Sequence, residues 1–508
     1  MRQSNSLKLL SNWYGQFAIL IGTLALFSAC GLIQPAPETE EKNDAADTSI
    51  EANEVERLTE SDFAIFIGRK SGLITYLGPN GNIFTINQAG RNNVSITSDS
   101  NLEQFEDLSR APDAVYYLLP TWTTSGRKLA FAQHQITDTR DQDFAQVPNL
   151  ISNSQTGMFS IGYSPAQPLA RPEQQNGRTS IYTIFSADAD GENQQTLWTG
   201  TARPIYMYWA PDGETLSVLL QEPGGSELQF ALLKAGDSES NQETFQIIDV
   251  GGPLYWDWAP HTNQILTHIG SVPPTERVSL LSLESQVIEE ILDLEPARFA
   301  SPDISPDGRL VMLPLQSDVA DDDDTWVTII DLTTRNKSVV DRLDGDLFVG
   351  GAFSPDNSMI AYIASTGTAE GELAIYTLEN GNLVISQSKK LLAFFWSPDS
   401  SKIAAFGVVP SDEDSNSGRP TLSVQIIDVQ SEGVTELFSS FETTSQFTEV
   451  LTFYSQYQRS ATIWSPDSQN IVFPVRTRDG PMVITMDVSG TIHPRTLAPG
   501  VLAFWSAD

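Results

Sequence analysis

Trp396-Ser397-Pro398-Asp399 recurs along the chain as Trp464-Ser465-Pro466-Asp467, and weaker copies stand on either side. Phe353-Ser354-Pro355-Asp356 keeps three of the four residues. Ile304-Ser305-Pro306-Asp307-Gly308 and Tyr208-Trp209-Ala210-Pro211-Asp212-Gly213 add a glycine. Trp258-Ala259-Pro260 and Trp122-Thr123-Thr124-Ser125-Gly126 are degenerate copies, and the last is Trp505-Ser506-Ala507-Asp508. A self-similar unit at a steady period decides the architecture before any other feature is considered.

Each copy has a local meaning. An apolar run ends in an aromatic, and Ser-Pro-Asp-Gly then makes the turn. Proline presets φ at the second position, and Asp and Gly suit the next two. A second apolar run follows at once, as in Ile403-Ala404-Ala405-Phe406 or Ile471-Val472-Phe473. This reads as a β-hairpin. A third strand follows (Trp326 to Leu332, Leu422 to Val429), then a polar turn such as Ala187-Asp188-Ala189-Asp190-Gly191 and a short fourth strand. Four short strands per unit, arrayed radially, describe a blade of a β-propeller.

The aromatic positions 122, 209, 258, 304, 353, 396, 464 and 505 count eight blades, with steps of 87, 49, 46, 49, 43, 68 and 41 residues. Most steps match a blade of about 40–50 residues. The 87-residue step is read as an insertion over 134–178, because that stretch carries no second hairpin signature. The eighth aromatic lacks strands after it, and the N-terminal region supplies them: Phe63 to Ile67, Leu73 to Leu77 and Ile83 to Asn87. Joining Trp505-Ser506-Ala507-Asp508 to Ser61-Asp62-Phe63 regenerates a hairpin, so one blade is shared by 61–100 and 500–508. The expectation is an all-β, eight-bladed propeller over 61–508, closed without an exposed sheet edge.

The repeat resembles the TolB-type propeller repeat, also found in the propellers of prolyl oligopeptidases, dipeptidyl peptidases and the tricorn protease. The likeness rests on the aromatic-Ser-Pro-Asp-Gly hairpin over roughly residues 60–508. It implies architecture and leaves function open, since one fold hosts many activities. No segment matches the separate N-terminal α/β domain of TolB, and a C-terminal hydrolase domain is not expected after the closing strand.

The first residues look like an export signal. Arg2 and Lys8 precede an apolar run from Phe17 to Phe27, which ends Leu26-Phe27-Ser28-Ala29-Cys30-Gly31. This resembles a bacterial lipobox, with Phe27 where Leu is usual. The resemblance implies a signal peptide over 1–29, cleavage before Cys30 and diacylglycerol on its sulfur. The competing readings are an uncleaved anchor, since Phe17 to Ile33 can just span a bilayer, and an inert buried cysteine. Cys30 is the only cysteine, so intrachain disulfides and Cys-based zinc sites are excluded. Residues 30–60 are acidic and poor in large apolar side chains, which describes a disordered tether. With 29 basic and 65 acidic residues the formal charge is −36, which argues against nucleic acid and anionic lipid surfaces as partners.

Insertions mark the working face. Turns between the first and second strands are all tight. The long segments 134–178, 222–227, 316–325, 365–372 and 409–421 fall between second and third strands, and 88–117 and 438–458 fall between blades. All of these emerge on one face, where binding is expected. Arg203, Arg298 and Lys390 each lie six residues before an aromatic position and Arg459 lies five before, so the four are expected to ring the channel mouth. Such a ring suits a carboxylate or phosphate, unless each cation merely pairs with a neighbouring acidic loop such as Asp341 to Asp346.

Other motifs are weak. Asp318 with Asp321 to Asp324 lacks a spaced calcium loop, and His134, His261, His268 and His493 show no zinc spacing. Tyr206, Tyr208, Tyr255 and Trp256 read as core between blades. No serine-nucleophile elbow and no phosphate loop is present. The reading is therefore a non-catalytic, monomeric, lipid-anchored propeller in the periplasm or at the cell surface, without cofactor or metal, binding a protein, a peptide or a small anion. The alternative is a propeller lyase or glycoside hydrolase with its site at the channel mouth.

Overall fold

The repeated turn is held by its own side chains. The hydroxyls of Ser305, Ser354, Ser397 and Ser465 donate to Asp307, Asp356, Asp399 and Asp467 at 2.6–2.7 Å. The same serine oxygens accept the N–H of Leu310, Met359, Lys402 and Asn470 across the hairpin at 2.8–2.9 Å. The fourth turn residue sits in the left-handed region, which Gly308 takes without strain at φ 72°. Asn357, Ser400 and Ser468 occupy the same position at φ 60–62°. Their side chains repay that strain by accepting the N–H of Asp307 (3.4 Å), Asp356 (3.0 Å) and Asp399 (3.1 Å) in the preceding blade. The serine and aspartate of the motif are therefore consumed by the turn.

The structure is a computed structural model that describes residues 72–507, apart from 105–112, 139–177, 226, 235–244, 261–262, 271–275, 286, 291–295, 299, 320–322, 367–369 and 410–419. Eight antiparallel sheets follow one another. Blade two is Val115–Trp122, Lys128–Asp138, Arg178–Asp188 and Gln195–Gly200, from the inner strand outward. Blade three is Arg203–Trp209, Thr215–Gln221, Leu228–Lys234 and Phe245–Gly251, and blade four is Leu254–Ala259, Gln264–Ile269, Arg277–Ser282 and Val287–Glu290. Blades five, six and seven begin at the inner strands Asp303–Ile304, Phe348–Phe353 and Ala393–Trp396. Blade eight pairs Asn470–Thr477, Gly480–Asp487 and Arg495–Pro499, and its inner strand is reduced to a bridge between Trp464 and Ile471.

Blade one closes the ring. The C-terminal strand Leu502–Trp505 lies innermost, followed by Leu73–Leu77, Ile83–Asn87 and Val94–Ser95. One expectation is corrected here. Leu73–Leu77, and not Phe63 to Ile67, pairs with the C-terminal strand, with Ile74 opposite Trp505. Leu73 and Ser506 tie the junction by two further hydrogen bonds. Both edges of Leu73–Leu77 are thereby taken, so no strand stands between it and the closing strand; Phe63 to Ile67 lie outside the described residues. The 87-residue step falls inside blade two, because Lys128–Asp138 pairs directly with Arg178–Asp188 on either side of it.

Neighbouring blades are stitched at the end of each inner strand. The indole N–H groups of Trp122, Trp209, Trp396 and Trp464 donate to the carbonyls of Phe504, Thr121, Ala352 and Phe395. Each acceptor directly precedes the aromatic position of the blade before. Where blade five has Ile304 and blade six has Phe353, the direction changes. Asp257 Oδ2 accepts the N–H of Ile304 (2.8 Å) and Asp303 Oδ2 accepts that of Phe353 (2.6 Å). Tyr208 similarly accepts the N–H of Trp258 at 3.0 Å.

The 68-residue step holds a pair of helices, α1 (Ser445–Thr452) and α2 (Tyr454–Tyr457), between blades seven and eight. Thr444 caps α1 by accepting the N–H of Phe447, and its hydroxyl donates to Val501 O. Phe447, Val450, Leu451, Tyr454 and Tyr457 are buried. Groups on the inner strands of blades three to seven bond to this segment: Tyr206 donates to Gln456 O (2.7 Å), Tyr454 to Gly350 O (2.6 Å) and Gln458 to Phe394 O (2.6 Å), while Arg459 reaches Asp257 and Asp303. Only the axis of the ring is within reach of all of them. The insertion expected as a surface loop is a plug in the axial channel.

Candidate functional site at the loop-bearing face

Antiparallel blades send the Ser-Pro-Asp turns to one face. The connections between second and third strands, and between successive blades, go to the other. The plug enters from that second face. Two of the long insertions lie mostly outside the described residues, at 139–177 and 410–419, as do Cys30, His261, Asp321 and Asp322.

The four cations expected to ring the mouth take different positions. Arg459 leads out of the plug and crosses the channel, with Nη2 3.0 Å from Asp303 Oδ1 and 3.5 Å from Asp257 Oδ2, and it also donates to Ile304 O. Arg298 precedes the inner strand of blade five and donates through Nε to Asp346 at 2.9 Å, the kind of acidic-loop partner that competes with a ligand role. Lys390 is exposed on the outer strand Leu383–Leu391 of blade six and does not begin an inner strand. Arg203 opens the inner strand of blade three, exposed at the mouth. No described hydrogen bond or ion pair joins any two of the four.

The most concentrated electrostatics lie around Arg459. Asp257 and Asp303 are 3 % and 4 % exposed, so desolvation of charge is severe. Burial raises the Asp303 carboxyl to about 7, against the opposing pull of Arg459 and with the charge of Asp257 adding to the rise. Tyr208, pushed well above its ordinary value by burial, keeps its proton and donates it to Asp257 Oδ1 at 3.2 Å. Two carboxylates thus face one guanidinium, and each also accepts a backbone N–H. Every oxygen of the pair has a described partner, so neither carboxylate is disposed as a free acid or base.

A second cluster surrounds Arg203. Its charge reaches Tyr116, His134 and Tyr182 on blade two, and Glu449 and Tyr457 on α1 and α2. The sequence signals Arg203 by register. His134, Tyr182 and Glu449 carry no motif, and only the folded ring places them there. The remaining histidines described are accounted for: His268 bonds Ala300 O (2.9 Å) and Glu276 (3.1 Å), and His493 is exposed. Tyr206, Tyr208 and Trp256 are core, at 2–6 % exposure. Asp324 accepts the N–H of Gly345 at 2.9 Å. Among the described residues no three His, Cys, Asp or Glu side chains gather as a metal set. Nor is any described helix long and apolar enough to cross a membrane.

No protein-family model matches this chain, and a search of the curated proteins returns no match. Solved structures do match. TolB from Acinetobacter baumannii is 17 % identical, aligned over 64 % of this chain and 62 % of its own, with a TM-score of 0.32. A putative TolB from Agrobacterium tumefaciens is also 17 % identical, over 49 % of this chain and 85 % of its own, at 0.33. An oligogalacturonate lyase from Vibrio parahaemolyticus is 10 % identical over 83 % and 97 %, at 0.40. This chain spans less than two thirds of the length of the first. The likeness is one of fold.

Proposed function

We propose that this protein is a non-catalytic extracytoplasmic binding propeller, anchored by lipid on Cys30, that engages a protein, a peptide or a small anionic ligand over its loop-bearing face. The observation that carries this reading is the plugged axis. A glycoside hydrolase at the channel mouth needs a carboxylate pair free to act on substrate, with the acid and its partner about 5–9 Å apart around the scissile bond. Here Asp257 and Asp303 share Arg459, cap backbone N–H groups of neighbouring blades and lie beneath α1 and α2. Ligand contact then falls to the loops and to the rim around them.

The anchoring is supported by the small residues before a sole cysteine and the polar, acidic stretch after it. Cys30→Ala is expected to leave the protein as an uncleaved precursor or to release it from membranes. Maturation and fractionation unchanged from the wild type overturn the lipid anchor. Binding is tested by pull-down from detergent-solubilised envelope, comparing the wild type with a variant in which 410–419 is replaced by a short Gly-Ser linker. A partner held equally by both, and by matching replacements of the other long loops, sinks the loop-face reading.

A further inference from the structure

Blade two ends at the loop-bearing face in a row of three side chains. Tyr116, His134 and Tyr182 stand directly opposite one another on successive strands. The imidazole stacks on the Tyr182 ring (centroids 4.2 Å apart, planes 18° off parallel), and its Nδ1 is 2.6 Å from the Tyr116 hydroxyl. His134 is 8 % exposed, and its buried Nε2 has no partner among the described residues. Leaving such a nitrogen unmatched costs about 1–3 kcal/mol, so the position is suited to a polar group that arrives from outside.

Burial and the nearby charge of Arg203 depress His134 to about 3, so the ring is neutral and carries one N–H and one lone pair. Burial likewise raises the Tyr116 hydroxyl above its ordinary value, so it keeps its proton and is able to donate it to Nδ1. With the tyrosine as donor in that bond, the imidazole hydrogen is on Nε2. Arg203 adds a guanidinium with five N–H donors, so a bond to the protein leaves others for a ligand. The Glu449 carboxyl on α1 is raised by desolvation, against the opposing pull of the same arginine. Arg203 thus acts on both His134 and Glu449, a neutral ring and an acid.

We propose that the mouth between blades two and three binds a small zwitterion of the amino-acid type, its carboxylate received by Arg203 and His134 Nε2–H and its ammonium by Glu449. This deepens the binding reading given above and names a ligand class for one part of that face. The test is long-range 1H–15N spectroscopy of histidine-labelled full-length protein in detergent, titrated with glycine, acetate and methylamine. Free protein is expected to show His134 protonated at Nε2. Glycine should move that resonance saturably, and acetate or methylamine should act about tenfold more weakly, the scale of one lost charge-assisted contact.

Arg203→Gln and Glu449→Gln change exposed residues and should each weaken glycine by a similar factor, while Glu449→Gln should improve acetate. A hydrogen on Nδ1 instead, no shift with any probe (an ordered water only), or equal response to glycine and acetate overturns the proposal. A partner captured by the loop face alongside a silent His134 overturns this site and leaves the binding propeller standing.

Discussion

Arg459 is the residue on which the channel depends. Its guanidinium answers two buried carboxylates from blades four and five, while a third of its side chain (31 %) remains accessible. Removing one partner of a buried pair leaves charge uncompensated, at about 3–5 kcal/mol where burial is complete. Arg459→Met is expected to fall near the low end because of that accessibility, as a lowered midpoint in urea unfolding. Asp303 makes the same cluster sensitive to pH. Its carboxyl is raised from the ordinary 3.8 to about 7, so the folded chain holds that proton more tightly than the unfolded chain. The stabilising contribution is complete below about pH 4 and is lost as pH rises through about 7. Asp303→Asn should flatten that stretch of the stability profile; an unchanged slope assigns the dependence elsewhere.

The repeated turn and the plug are the elements that carry the design. In the turn, Ser397 serves two hydrogen bonds, one to Asp399 and one from the Lys402 N–H. Against the opposing effect of burial, the Ser397 hydroxyl and the N–H and hydroxyl of Ser401 hold the Asp399 carboxyl below its ordinary value. Ser397→Ala is expected to cost about 1 kcal/mol, the scale of a lost local hydrogen bond, measured by chemical denaturation. At the plug, Thr444 joins the start of α1 to the closing strand through Val501. Thr444→Ala should cost about 1–2 kcal/mol as a lost N-cap. Because it loosens the plug, protection of the α1 amides in hydrogen exchange should fall more than that of the blades. Uniform loss across the molecule means the plug has no independent opening.

The whole ring depends on its closure. Trp505 is fully buried, its strand pairs with Leu73–Leu77, and the Trp122 indole bonds the adjacent Phe504 carbonyl. Trp505→Ala should cost about 3–5 kcal/mol and lower the melting temperature of the molecule as one transition, since blades one, two and eight all lose contacts there. A melting temperature equal to the wild type contradicts closure by the shared blade.

Seven aromatics and Ile304, five of their seven steps being 41–49 residues and each followed by a turn with its own chemistry, determined the blade count and the face bearing the tight turns. Those features are local: proline, serine and aspartate settle the turn within five residues, and alternation settles the strands. Four things lay beyond local pattern. Phe63 to Ile67 reads as a strand by composition, but the partner of the closing strand is chosen by register across the whole chain, and Leu73–Leu77 takes both edges. Residues 438–458 read as a loop because apolar side chains in a short insertion have no visible partner until the ring supplies one around its axis. Arg203, Arg298, Lys390 and Arg459 share a spacing but not a site, because each meets a different neighbour once the blades are assembled. His134, Tyr182 and Glu449 carry no signal at all in sequence, since only strand pairing and the descent of α1 into the ring bring them to Arg203.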